Sequence, residues 1–556
     1  MITNSIEDDS KVIEVASKFS LLVLLTQFGK TFVSVNKIIS EISQDPEAGR
    51  SVHIVFSMNT LLNNAQFASR LDSVENEYGK GSVCVFASKY DGKYRHVKSI
   101  GELQGLCFDT LTCPSVIIMC SNTVRYENAV DFIKVLDRNK NFGFIKRVHC
   151  YYDELHKYIS ETVRSQIEET HNLEIVKGIM AMTASPDKIF KKEGFWSKLQ
   201  LIYLSNFNQI DYAGVNDMIF NCIDDYFPNP YVRPGIFEFD LLDRDTVGFI
   251  KHVLKKHPEL LNDGSRVFIP AHVRRVGHNS LRDLIFKLKD NSIVVVINGV
   301  EKTLQYKDLS TGCLKTLPLS VTKPVEEVCE TISKLITLHK LQNRPLVITG
   351  FLCVGMGQTL THKSLGSFTA AIFSHLDLTN DELYQLFGRI TGRMKDWGAG
   401  IYIQTQVYCP TKVMQRCQVM EECARQMAIE HNGDVVTQED YRQPMYELGS
   451  AGAATIENIR PVKEKKDKAV DTDKDYRVFD TLEEAIKFGK DVLNVKFHKR
   501  SNDAPKELRK KNKGNNPTPT MLVDRMWGID ENTKARMCIT DEKKWCVYWR
   551  PSHHVK

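Results

Sequence analysis

The chain reads as an α/β protein, with two tandem parallel-sheet domains followed by a small α+β domain. Three observations predict this. Apolar runs of strand length alternate with segments of helical spacing from Leu21 to about Leu204. A second alternation of the same kind begins at Arg266, and the pattern shortens beyond a charged stretch at 460–475. Continuous apolar strands separated by helices imply a parallel sheet covered on both faces. The expected boundaries are a first domain at 1–204, a connector at 205–262, a second domain at 263–459, a linker at 460–475 and an accessory domain at 476–556.

In the first alternation the strand-length runs are LLVLL (21–25), VHIVFSM (52–58), SVCVFAS (82–88), SVIIMC (115–120), FIKRVHCYY (144–152), GIMAMTA (178–184) and LQLIYL (199–204). Segments 31–43, 60–71 and 124–137 between them repeat apolar residues at helical intervals. Pro, Asn and aromatic residues punctuate YFPNPYVRPGIF, which marks 205–262 as a connector. The second alternation runs through strands at 266–270, 293–299, 346–350, 369–373 and 400–405, with helices near 324–340 and 379–390. RPVKEKKDKAVDTDKD has the charge of a linker. After it come a helix near 481–493, a basic segment and the short strands RMCIT and WCVYWR.

Composition excludes several classes. The 556 residues are 42% hydrophobic and 26% charged, ordinary for a globular chain, and no window approaches the 18 apolar residues of a membrane span. The opening residues do not form a basic, apolar leader, so a secretory signal is not expected. The 14 cysteines lack C-x-x-C pairs and read as thiols of a reducing, intracellular compartment, not as disulfides or zinc ligands. The 16 histidines form no metal-ligand spacing either. Eight Lys or Arg lie between Lys496 and Lys513 against Asp503 and Glu507, an excess larger than the +5 of the entire chain. Lys499, Arg500, Arg509, Lys510 and Lys511 are therefore candidate contacts to a polyanion.

Two local patterns carry chemistry. An apolar strand runs into a turn ending Gly29-Lys30-Thr31, and helical spacing begins at once. Gly29 lets backbone amides close round a phosphate, Lys30 supplies a point charge, and the Thr31 hydroxyl can ligate magnesium. The full phosphate-loop pattern has a further Gly where Leu24 stands, and G-K-T after a strand also occurs by chance. The second pattern ends another apolar run in Asp153-Glu154-Leu155-His156. Asp153 can hold magnesium and Glu154 can orient an attacking water; a solvated helix start has the same composition.

Together, G-K-T followed by D-E-x-H resembles the superfamily two helicases and translocases of the DExH type. The resemblance covers roughly residues 10–410 and implies two RecA-like domains that bind ATP and magnesium between them. Thr26, Gly29, Lys30 and Thr31 match the family's A-x-T-G-x-G-K-T, while Gln27 stands where that pattern has Gly. Further family elements follow in order. Asn59 and Thr60, then Ser121 and Asn122, match loops that contact a nucleic-acid backbone. In MAMTASP, Thr183 and Ser185, with His156 of D-E-x-H, match the elements that couple hydrolysis to the strand groove. SRVFIPAHVRRVGHNSLRDLI (265–285) resembles motif IV. LVITGFLCVGMGQTLTHKSLG resembles motif V, with Thr349, Gly355, Gly357 and Thr359 facing phosphates. DELYQLFGRITGRMKDWG resembles motif VI, with Gln385, Gly388 and Arg389 in place and Arg393 one residue further along than usual. On a continuous helix Arg389 and Arg393 share a face, so either can reach the γ-phosphate.

The resemblance implies a nucleic-acid partner, with DNA favoured over RNA, no membrane, and protein partners of a replication, repair or transcription assembly. The compact arrangement is similar to helicases of large DNA viruses and phages, which adds a virus factory or virion to cytoplasm and nucleus as locations. The alternatives are a nucleic-acid-binding scaffold weakened in catalysis, and the motor of a restriction-type or transcription-termination assembly. No glutamine occurs among Met1 to Thr26, so the adenine-recognition element of some members of the resembled family is not visible, and an aromatic such as Phe19 or Phe28 is expected to stack on the base instead. In the accessory domain Trp527, Trp545, Tyr548 and Trp549 beside the basic segment suit single-strand or fork binding.

Overall fold

In a computed structural model of the chain, the described residues are 17–45, 50–58, 61–90, 92–141, 143–204, 209–227, 238–272, 275–298, 301–319, 328–351, 360–450, 475–492, 521–522, 536–540 and 544–549. They form two compact units, Met1–Ile459 and Arg460–Lys556. The first unit contains two lobes, each built on one parallel-dominated sheet, as the alternation predicts.

The first lobe opens with β1 (Phe19–Val23), α1 (Lys30–Ser43), β2 (Arg50–Ser57) and α2 (Leu61–Ser69). It continues through α3 (Asp72–Tyr78), β3 (Val83–Phe86), β4 (Arg95–Val97), α4 (Ile100–Cys107), β5 (Val116–Cys120) and α5 (Thr123–Arg138). It closes with β6 (Ile145–Asp153), α6 (Glu161–Asn172), β7 (Val176–Thr183) and β8 (Leu199–Leu201). From β8 inward the sheet order is β8-β1-β7-β6-β2-β5-β3-β4, with every neighbouring pair parallel. Every residue of β1 is buried, because helices cover both faces of a central parallel strand.

Between the lobes run β9 (Tyr212–Ala213) and β10 (Ile219–Cys222), followed by α7 (Glu238–Lys256). The second lobe contains β11 (Arg266–Phe268), α8 (Arg275–Leu288), β12 (Ile293–Ile297), β13 (Lys302–Lys307), β14 (Leu314–Pro318), α9 (Val328–Leu338), β15 (Leu346–Thr349) and β16 (Ala370–Ile372). It ends with α10 (Asn380–Phe387), β17 (Gly392–Arg393), β18 (Gln406–Cys409), α11 (Thr411–Ile429), β19 (Val435–Val436) and α12 (Gln438–Ser450). Its sheet order is β10-β18-β16-β11-β15-β12-β13-β14.

Three features depart from the sequence reading. The segment read as a connector supplies β10, an edge strand of the second sheet, and β9, which pairs with β17. The run at 400–405 is not a strand: Gly398 (φ 98°) and Gly400 (φ 82°) hold a left-handed turn there, and pairing begins at Gln406. After the second sheet the chain returns to the first, where β19 pairs antiparallel with β8. Arg442 of α12 then forks onto Asp187 at 2.6 and 2.9 Å. Short edge strands such as Val435–Val436 lack the length that makes a periodic signal.

The second unit has an antiparallel sheet ordered β20 (Asp475–Phe479), β23 (Trp545–Trp549), β22 (Arg536–Thr540), β21 (Met521–Leu522), with a helix at Leu482–Asp491. Thr481 and Glu484 form a reciprocal capping box at the start of that helix. The basic residues Lys499, Arg500, Arg509, Lys510 and Lys511, and Trp527, lie outside the described residues. Among the described residues no helix is long and apolar enough to cross a membrane.

Candidate active site

The turn after β1 is shaped by two left-handed residues. Gly29 has φ 118° and caps α1, and Gln27 has φ 57°. The second value explains why a related loop would use Gly at this position: a side chain there sits in a backbone region that costs roughly 1–2 kcal/mol. Lys30 and Thr31 open α1, so the amides of its first turn face the space above the sheet.

That space is a cleft of about 460 Å³ between the two lobes. Thr26, Gly29, Lys30, Thr31, Asp153 and Glu154 line it from the first lobe, and Gln385, Gly388 and Arg389 from the second. Asp153 ends β6, and Glu154 turns the chain away in a left-handed conformation (φ 48°). Lys30 Nζ stands 3.6 Å from Glu154 Oε1, with both side chains nearly buried. Burial, then the Glu154 charge, pushes the Asp153 carboxyl up. Burial pushes Glu154 the same way, but Lys30, Lys157 and Arg389 outweigh it and hold that carboxyl low. Burial lowers the Arg389 guanidinium to about 10, against the support of Glu154, so it stays charged at neutral pH.

Arg70 and Lys157, which the motif reading missed, also line the cleft. With Lys30 and Arg389 they set four cations against two carboxylates. Lys157 directly follows D-E-L-H and was within sight of the motif; Arg70 follows α2 and has no spacing that announces it.

Behind Glu154 runs a polar chain. His156 Nδ1 lies 3.3 Å from Glu154 Oε2 and 2.7 Å from Thr183 Oγ1, and Thr183 Oγ1 accepts the Ser185 N–H at 2.9 Å. Burial lowers His156 to about 3, so it is neutral. His156, Thr183 and Ser185 are thus brought together beside the acidic pair.

Arg393 is not brought to the cleft. Helix α10 stops at Phe387, and Gly392 (φ 147°) feeds the β17–β9 ladder, so the two arginines do not share a helix face. Arg393 Nε donates to Asp211 at 2.8 Å, and its guanidinium stands 5.5 Å from the Phe28 ring centre. Phe28 also packs on Tyr212, and Phe19 packs edge-on against Phe195 and Trp196. Neither aromatic lines the cleft, so neither stacks on a base there.

Of the expected nucleic-acid contacts, Ser121 and Thr349 are fully buried, and Asn122 Oδ1 accepts the Arg125 N–H at 3.0 Å as the cap of α5. Ser121 and Thr349 are thus enclosed within the lobes, whereas Asn122 is half-buried. Asn59, Thr60, Gly355, Gly357 and Thr359 lie outside the described residues.

The lobes meet at the root of the phosphate-loop turn. Gly388 packs so closely on Thr26 that a Cβ would come within 2.7 Å of its Cβ. The Tyr212 hydroxyl donates to Thr26 O at 2.9 Å, Thr26 Oγ1 and Thr391 Oγ1 are hydrogen-bonded at 3.0 Å, and the Thr26 N–H reaches the Tyr384 hydroxyl at 3.5 Å. All four residues are buried.

No known family profile matches the chain, and no curated protein sequence matches it. Among solved structures it is similar to the NS3-like helicase from Alongshan virus, with 11% identity and a TM-score of 0.33 over 71% of this chain and 72% of that one. It is also similar to a DEAD box protein from the hyperthermophile Methanococcus jannaschii, with 12% identity and a TM-score of 0.36 over 74% and 87%. A third similar structure is the ATP-dependent Type ISP restriction-modification enzyme LlaBIII bound to DNA, with 13% identity and a TM-score of 0.41 over 78% of this chain and 31% of that one. At these identities and TM-scores the likeness carries no functional inference, and the chemistry rests on the cleft's own residues.

The donor set suits a polyphosphate with a divalent ion. The cleft combines a helix N-terminus, an excess of cations and a hydroxyl–carboxylate pair in Thr31 and Asp153. Among the described residues no group of three or more His, Cys, Asp or Glu could hold a metal by itself. A magnesium ion retained by one carboxylate, one hydroxyl and substrate phosphates needs no such group.

Proposed function

We propose that the protein is a nucleic-acid-dependent ATPase of the helicase or translocase type, binding ATP between its two lobes. One observation carries this reading: Lys30 of the first lobe and Arg389 of the second line a single cavity with Asp153 and Glu154. Amides at the start of α1 and the Lys30 ammonium bind the phosphates. Thr31 and Asp153 would hold magnesium, which when bound draws charge from the terminal phosphates. Glu154, kept ionised by its cationic neighbours, orients the attacking water. Arg389 stabilises the charge that develops on the transferred phosphoryl, and it does so only while the lobes are closed.

Loss of the terminal phosphate removes the link between Lys30 and Arg389 and lets the lobes part. The chain His156–Thr183–Ser185 connects Glu154 to the loop after β7, so hydrolysis changes the grip on a strand held by its backbone. DNA is the favoured strand, within a replication, repair or transcription assembly of viral type. A second reading, a scaffold that binds nucleic acid without turnover, is favoured by the Lys30–Glu154 ion pair and by the side chain at Gln27.

ATP turnover by the full chain, titrated against single-stranded DNA, duplex DNA and RNA, tests both. Lys30→Ala and Glu154→Gln are expected to abolish turnover stimulated by nucleic acid. Turnover unchanged in both variants would sink the motor reading, and ATP binding with no turnover in the parent chain would favour the scaffold.

A further inference from the structure

The cleft continues beyond the phosphate-binding turn, and its far end is lined by two facing helix surfaces. Phe32, Asn36 and Ile39 follow one another at helical spacing on α1, and Asn63, Gln66 and Phe67 do so on α2. Phe32 stands next to Gly29 and is 37% exposed, so part of its ring is open to the cleft it lines. Asn36 and Gln66 are half-buried. The wall toward the second lobe is closed where Gly388 meets Thr26 and where Tyr384 and Thr391 bond that residue. A group attached to phosphates over Gly29–Thr31 therefore has room along α1 toward α2, away from the packed root at Thr26.

We infer that this α1–α2 end of the cleft is a nucleoside subsite: the base lies against Phe32 and Ile39 and is read by the amides of Asn36, Asn63 and Gln66. The inference rests on the triphosphate reading of Lys30 and Arg389. A side-chain amide offers both a donor and an acceptor, so it meets the polar edge of a base, while an aromatic face supplies stacking. The whole cavity, at about 460 Å³, falls in the range of small-molecule sites. Phe19 and Phe28, packed against other aromatics away from the cleft, take no part in this subsite.

Calorimetric affinities of the full chain for ATP and for inorganic tripolyphosphate test the subsite. ATP is expected to bind at least tenfold more tightly than tripolyphosphate. Phe32→Ala and the double variant Asn36→Ala/Gln66→Ala should remove that advantage while changing tripolyphosphate affinity less than twofold. ATP affinity unchanged in both variants overturns the inference, whereas unchanged binding of both ligands in Lys30→Ala overturns the triphosphate reading instead. Photolabelling of the parent chain with 8-azido-ATP gives an independent readout. Label in the peptides containing Phe32–Ile39 or Asn63–Arg70 supports the subsite; label only elsewhere overturns it.

Discussion

At the scale of single residues, burial decides which groups are charged. His53 is fully buried on β2, with Nδ1 3.1 Å from the Tyr151 hydroxyl and its ring stacked 5.0 Å from His149. Lys37 and Glu41 of α1, Ser51 and Asp45, and Arg147 of β6 surround the pair. Burial, then the neighbouring His149, lowers His53 to about 3, and burial lowers His375 of the second lobe to about 4. Both stay neutral in the folded chain, whereas in the unfolded chain they take up protons below about 6.5. Their folded values are depressed, so the stability they contribute is present above 6.5 and is lost as pH falls through the window from 6.5 toward 4. Urea denaturation between pH 7 and pH 5 is expected to show this loss. His53→Gln should reduce its slope by up to about 1.4 kcal/mol per pH unit, the effect of one proton; an unchanged slope would contradict the account.

At the scale of elements, buried side chains fasten irregular segments to regular ones. Glu421 of α11 accepts the N–H groups of Val215 and Asn216 at 2.6 and 3.1 Å and is itself fully buried. Gly214 lies beside it, so close that a Cβ would fall 2.4 Å from Oε1. This contact fixes the chain between β9 and β10 where it passes from one lobe to the other. Glu421→Ala leaves the buried Val215 N–H unsatisfied, while the Asn216 N–H, on an exposed residue, can turn to water, and the change is expected to cost roughly 1–3 kcal/mol. A denaturation midpoint within error of the parent would refute that role.

At the scale of the molecule, two lobes share one cleft, and the packing at Thr26 sets how closely they approach. Gly388→Ala places a methyl against Thr26 and is expected to destabilise the closed arrangement by about 1–3 kcal/mol. Its ATP turnover should fall even though every group that touches phosphate is retained; parent-like turnover and stability would show that the lobes close without this packing. Removal of 460–556 takes away the basic segment. It is expected to weaken nucleic-acid binding and to flatten the dependence of log affinity on log salt, by about one unit of slope for each phosphate that the segment neutralises. An equal slope for both chains would exclude the segment from binding.

By itself the sequence determined the two sheets and the ends of the strands that build the cleft. Uninterrupted apolar runs have few places to go except between covering helices, and G-K-T and D-E-x-H keep their chemistry next to one another in the chain. Only the tertiary structure decided what depends on distant parts of the chain meeting. Arg389 enters the cleft and Arg393 leaves it because a helix stops at Phe387 and a two-residue ladder begins at Gly392. Arg70 and Lys157 join the site, and Phe19 and Phe28 turn away from it, through packing against segments hundreds of residues away in some cases and dozens in others. Local periodicity reports the face a residue belongs to; which other surface that face meets is fixed by long-range burial and pairing, which no short window of sequence contains.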